Sequence, residues 1–135
     1  MQADPSAASN YSPLPERARS LITPDRRIRP HLDGDESLLG RRTESMLTRV
    51  DELGLEADGV PGSVYLTDRR LIHLSSDVPT AQMTIDLREV TELSLSGQRL
   101  LITFHPTRGV MLDLESPIDF RAQMALAISS LRGRE

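Results

Sequence analysis

The stretch that most constrains this chain is residues 62–75, Gly-Ser-Val-Tyr-Leu-Thr-Asp-Arg-Arg-Leu-Ile-His-Leu-Ser. Val64, Tyr65 and Leu66 form one run of strand-favouring residues and Leu71, Ile72 and Leu74 a second, with the polar Thr67-Asp68-Arg69 between them. Branched and aromatic side chains pack well on a pleated surface, and the Asp68 carboxylate can accept from backbone N–H groups in a turn. The stretch reads as a β-hairpin.

On its C-terminal side the period-two pattern repeats. After a turn at Ser76-Asp77-Val78-Pro79, Met83, Ile85 and Leu87 alternate with Thr84, Asp86 and Arg88, the mark of a half-buried strand. Leu93 and Leu95 carry the alternation to Ser96-Gly97, and Leu100, Ile102 and Phe104 share one face of a further strand, which makes a second hairpin. Past the connection at 105–109, Val110, Leu112 and Leu114 point one way and Met111 and Asp113 the other. On the N-terminal side, Asp33-Gly34-Asp35 signals a turn, and a first strand is expected within residues 43–50. Met46, Leu47 and Val50 alternate poorly there, so a helix competes for that segment. Residues 51–62, with Gly54, Gly59, Pro61 and Gly62, read as a loop. The total is about seven strands.

The last segment changes period. Ser116 stands at a helix cap, Pro117 at the first helical position where its missing N–H costs nothing, and Asp119 beside the positive end of the dipole. Phe120, Met124, Ala127, Ile128 and Leu131 then fall on one stripe, and Gly133 suits a left-handed cap. A single amphipathic helix after a run of strands must bury its stripe on a sheet.

A chain of 135 residues is one domain with room for a core. Residues 1–30 hold five of the nine prolines and no apolar periodicity, so they are expected to form a disordered arm, with residues 31–135 as the folded domain. Two features of the arm stand apart: Leu21-Ile22 could dock on the domain, and Pro13-Leu14-Pro15 favours an extended segment. All sixteen basic residues are arginine. Up to Pro30 five arginines face three acidic residues (+2), and beyond it eleven face seventeen (−6), so a uniformly basic nucleic-acid binder is disfavoured. The absence of cysteine removes disulfides, thiolate metal sites and a cysteine nucleophile. No apolar run approaches the roughly 18 residues of a membrane span, and the start lacks the apolar core of a secretory signal. The expectation is a cytoplasmic protein, with peripheral contact to a membrane as a variant.

Strands in hairpin order followed by one C-terminal helix are the layout of a PH-like domain. Residues 62–75 resemble the signature hairpin of the GRAM branch of that superfamily, in its small bacterial-type form, where a Gly, an aliphatic strand, a Thr and an Arg-Leu-Ile run recur. Met83-Thr-Ile-Asp-Leu-Arg-Glu-Val-Thr resembles the next strand of that family, and Ser116-Pro-Ile-Asp-Phe its helix start. The likeness spans about residues 35 to 132. It implies a mainly β fold, a PH-like two-sheet β-sandwich or half-barrel capped by the helix, used to bind head groups or proteins rather than to do chemistry. For Thr67 and Arg70 the simplest role is to shape the turn and pair across it.

His31, His73 and His105 lack metal-ligand spacing, so no metal is expected. Neither a nucleophile elbow nor a glycine-rich phosphate loop occurs, so no cofactor and no catalytic residues are assigned. Charge carries more information. In antiparallel order Arg41, Arg42, Arg69 and Arg88 should gather at one end of the sheet as a basic pole, the candidate site for an anionic ligand or partner. Asp51, Glu52, Glu56, Asp58 and Asp77 should make the opposite end acidic, where phosphate-binding relatives carry positive charge. These features together favour a non-catalytic module for a protein or peptide partner, with the Arg-rich arm as a tether. The alternatives are a weak binder of anionic membrane surfaces through the basic pole and, as a residual, an accessory subunit of an enzyme.

Overall fold

In the computed structural model, residues 22–51, 56–78, 81–104 and 108–133 are described. Seven strands, β1 (Leu38–Val50), β2 (Val60–Thr67), β3 (Arg70–Ser75), β4 (Gln82–Asp86), β5 (Val90–Ser96), β6 (Arg99–Phe104) and β7 (Arg108–Leu114), precede one helix, α1 (Pro117–Gly133). They form one antiparallel sheet in the order β4-β3-β2-β1-β7-β6-β5. The two expected sheets are thus halves of one hydrogen-bonded surface, and it stays open, with β4 and β5 as its edges.

β1 joins the halves. Its first part pairs with β2, from Leu38↔Thr67 to Leu47↔Val60, and its last part with β7, from Ser45↔Leu114 to Val50↔Gly109. Register shifts between Leu38 and Gly40 and between Arg42 and Ser45 bend it. A bulge flips the side-chain parity of the residues beyond it. This disturbs the alternation across the strand, which begins at Leu38, five residues before the expected start. Val60 and Pro61, expected in a loop, already belong to β2. Between the halves, Leu87–Glu89 is a 3-10 turn whose Asp86 side chain accepts from the Arg88 N–H, so Leu87 ends one half instead of extending its strand. Gly97 turns the β5–β6 hairpin at φ 65°, a left-handed angle that suits glycine.

The concave face holds the main core. Val64, Leu66, Leu71 and Ile85 from one half meet Leu100, Ile102, Val110 and Leu112 from the other. Over them α1 buries Phe120, Met124, Ala127 and Ile128, the expected stripe. Gly133 is still helical, and no left-handed cap forms there.

A second, smaller core lies on the outer face of β2 and β3. Leu38, Tyr65, Ile72 and Leu74 are covered there by Ile28 and Leu32, with Ile22 packed alongside. Ile28 is 0% exposed. Residues 22–30, expected to belong to the arm, therefore pack with the folded unit. The burial of alternate residues on both faces of β2 leaves an apolar outer surface that something must cover. Residues 1–21 lie outside the described residues.

Candidate functional site

The four arginines expected to form a basic pole do not all share one face of the sheet. Arg41 and Arg42 are consecutive on β1 and pair in register with Tyr65 and Val64, which face the outer and inner cores respectively. Successive strand residues point to opposite faces, so the two guanidinium groups diverge. Arg69 and Arg88 do come near one another, since the Leu87 N–H donates to the Arg69 carbonyl at 3.1 Å.

Each of the four is also engaged. Arg41 reaches the Asp25 carboxylate at 3.3 Å. Arg42 donates to the carbonyls of Glu115 (2.8 Å) and Arg41 (2.9 Å), and its guanidinium sits 5.2 Å from the Phe120 ring centroid. Arg69 lies 3.0 Å from Asp35, 3.3 Å from Asp68 and 3.9 Å from Asp33. Arg88 pairs with Asp86 at 3.0 Å. Charges counted along the chain suggest an excess at this end, whereas the fold returns a carboxylate or carbonyl to each arginine.

Thr67 and Arg70 build a lock. The Thr67 Oγ1 accepts from the N–H groups of Arg69 (3.1 Å) and Arg70 (2.9 Å), which shapes the turn as expected. Its hydroxyl donates to Glu36 at 2.7 Å. Arg70 forks onto the same carboxylate, Nε to Oε2 and NH2 to Oε1, both at 2.8 Å, and also donates to the His31 carbonyl. Its partner is thus Glu36 ahead of β1, not a residue across the hairpin. Glu36 is 0% exposed. Burial pushes its pKa up, but the bonds from Arg70, Thr67 and Asp33 outweigh this and hold the carboxyl below its ordinary value. The Glu36 bonds in turn raise Arg70.

Asp25 fastens the other end of the same segment. Its Oδ1 accepts from the N–H groups of Arg27 and Ile28, both at 3.0 Å, and its Oδ2 from the Tyr65 hydroxyl at 2.9 Å. Desolvation opposes its ionisation, yet these bonds and Arg41 leave its pKa lowered. Burial and the adjacent Asp25 charge push the Tyr65 phenol up to about 12. Thus residues 22–36 are stapled to the outer face by Asp25 and Glu36 on either side of Ile28 and Leu32.

The opposite end of the sheet is not uniformly acidic. A cleft of about 570 Å³ there is lined by Arg49 and Arg108 as well as Asp51 and Glu56, over Met83 and Phe104. Arg99 joins Glu56 to Asp113, at 3.4 and 3.1 Å. Positive charge enters from strands β1, β6 and β7, which a tally of loop residues misses. Glu52 and His105 lie outside the described residues. His73 is buried, with Nε2 unpartnered among the described residues; burial first, and Arg27 second, lower its pKa. Among the described residues no three His, Asp or Glu side chains are grouped to hold a metal, and no helix is long and apolar enough to cross a membrane.

A further groove, of about 360 Å³, runs between the open edge of β5 and α1. Ile128, Ala125 and Leu93 lie along it, with Arg121 and Arg132 among its lining residues. Arg121 donates to the Leu93 carbonyl at 3.3 Å and Arg132 to the Val90 carbonyl at 3.2 Å. The spacing 121, 125, 128, 132 is one helix face, so the pairing of these arginines was open to the sequence once the buried stripe had been set.

This arrangement of an open, bent antiparallel sheet with one C-terminal helix over its concave face defines a PH-like fold. Among solved structures the chain is similar to the Vps36 N-terminal PH domain, with a TM-score of 0.62 and 16% identity over 76% of this chain and 86% of that one. It is also similar to the C-terminal domain of an unknown protein from Leishmania infantum (TM-score 0.52, 18% identity, 69% and 85% covered). A third similar structure is Dcp1p (TM-score 0.50, 13% identity, 70% and 85% covered). No family model and no curated protein matches the chain. At these identities the likeness establishes the fold alone.

Proposed function

We propose that this chain is a non-catalytic, GRAM-type PH-like module that binds a protein or peptide partner in the cytoplasm. The observation that carries the reading is the internal use of charge. Arg41, Arg69 and Arg88 each have a carboxylate within 3.3 Å, and Arg42 is held by carbonyls and the Phe120 ring. A phosphate or anionic membrane would have to compete with those partners and gain little long-range attraction from a chain of net charge −4. A protein surface needs no such excess, because shape, apolar contact and backbone pairing supply most of its affinity.

Vesicle co-sedimentation tests this, with phosphatidylcholine vesicles alone and with added phosphatidylserine or phosphoinositide, at two salt concentrations. The expected result is no head-group-selective pelleting, alongside stoichiometric capture of a protein in cross-linking pull-downs. Tight, head-group-selective pelleting that survives raised salt would overturn the reading.

A further inference from the structure

The open sheet leaves β5 as an edge, and an edge strand offers unpaired backbone groups to any extended chain that can reach it. Leu93 directs its carbonyl away from β6, since that oxygen accepts from Arg121 on the helix side. In an antiparallel ladder alternate residues share this orientation, so Leu95, two residues on, also turns its N–H and C=O outward. Leu95 itself is 37% exposed, and Leu93, Ala125 and Ile128 give the groove its apolar lining.

Two positive charges flank it. Arg121 and Arg132 have no carboxylate within ion-pair distance among the described residues, unlike Arg41, Arg69, Arg70, Arg88 and Arg99. Each donates one bond to a β5 carbonyl, at 3.3 and 3.2 Å. Single bonds of that length cover the edge without committing the fork of donors, which suits carboxylates far better than a lone carbonyl. Glu92 also lines the groove, but on a strand it points to the face opposite Leu93.

We infer that the β5–α1 groove takes an acidic peptide segment of a partner protein as an added strand, its backbone pairing with Leu93 and Leu95 and its carboxylates bound by Arg121 and Arg132. On docking, a peptide N–H replaces Arg121 at the Leu93 carbonyl, and both guanidinium groups swing to the acidic side chains. The inference deepens the protein-partner reading and rests on it.

The test pans a phage-displayed library of random 12-residue peptides against the full chain, then measures the enriched peptides by fluorescence anisotropy. Enriched sequences should carry an excess of Asp and Glu. Arg121→Gln/Arg132→Gln should weaken them roughly tenfold, the sum of two partly exposed ion pairs. Arg121→Glu/Arg132→Glu should shift the preference to basic peptides, and N-methylation at alternate peptide positions should abolish binding. Thermal melting of each variant controls for folding. Enrichment of neutral or basic peptides by the wild type, no enrichment at all, or acidic peptides indifferent to both double variants would overturn the inference. If a captured protein partner binds both double variants as well as the wild type, the groove is wrong while the protein-partner reading stands.

Discussion

On the outer face of β2 and β3 the chain closes its own surface, while on the edge of β5 it does not. The outer face is covered by Ile28 and Leu32 and fastened by Asp25 to Tyr65 and by Glu36 to Thr67 and Arg70. Asp25, Glu36, Arg41, Tyr65, Thr67 and Arg70 are each matched there within the molecule. Along β5 and α1, two arginines without carboxylate partners among the described residues stand beside outward-facing backbone. A surface whose charges are internally matched contributes stability, and one whose charges are only provisionally satisfied is available for recognition.

The largest effect should come from breaking the latch at its buried charge. Glu36→Ala leaves Arg70 and Thr67 without their partner, and losing one member of a buried pair costs about 3 to 5 kcal/mol. Denaturant unfolding should show a large fall in midpoint; a fall within experimental error would mean that the pair carries no weight. Phe120→Ala on the inner face should cost a similar about 3 to 5 kcal/mol, and Ile28→Ala about 2 to 5, both through lost burial and the cavity left behind. Truncation at residue 30 should therefore destabilise the domain, since it deletes Ile28 and Asp25 together.

These two regions also differ in how readable they are from sequence. The inner face is legible because α1 carries Phe120, Met124, Ala127 and Ile128 at helical spacing, and β6 and β7 alternate cleanly. The latch is not. Ile28 and Leu32 sit among Pro24, Pro30 and several arginines in an irregular segment with a short 3-10 turn, so no period announces them. The clue is Tyr65 and Ile72, whose burial on the face opposite Val64 and Leu71 requires a cover. The surroundings of the candidate arginines are hidden for a related reason: Arg41 and Arg42 diverge across β1, and the partners of Arg41 and Arg69 come from residues 25 to 35, a segment that reads as tail or turn.

The latch should respond to pH in both directions. The folded pKa values of Asp25 and Glu36 are lowered, so their contribution is complete above the unfolded carboxylate values of about 4 and is lost as pH falls through the folded ones. Tyr65 is raised to about 12, so the stability that its neutral phenol contributes is present below its unfolded value of about 10 and lost as pH climbs toward the folded one. Midpoints measured across pH should show both flanks. Glu36→Gln should flatten the acid flank and Tyr65→Phe the alkaline one, and unchanged flanks in these variants would place the titrating groups elsewhere.

The smallest effect is expected for the exposed pair at the tip of the sheet. Arg88→Gln loses a contact between side chains that are 60% and 39% exposed, worth about 0 to 1 kcal/mol. It should leave partner binding unchanged, whereas a marked loss of binding would restore the basic pole as a working surface.

If recognition uses the open edge, the latched face is left alone. Amide-resolved hydrogen exchange on the full chain, with and without a peptide selected by panning, tests it directly. New protection is expected at the outward amides of Leu93 and Leu95, with rates at Tyr65 and Ile72 unchanged. Protection gained at residues 22–36, or confined to the cleft lined by Arg49 and Arg108, with Leu93 and Leu95 exchanging as before, would contradict it.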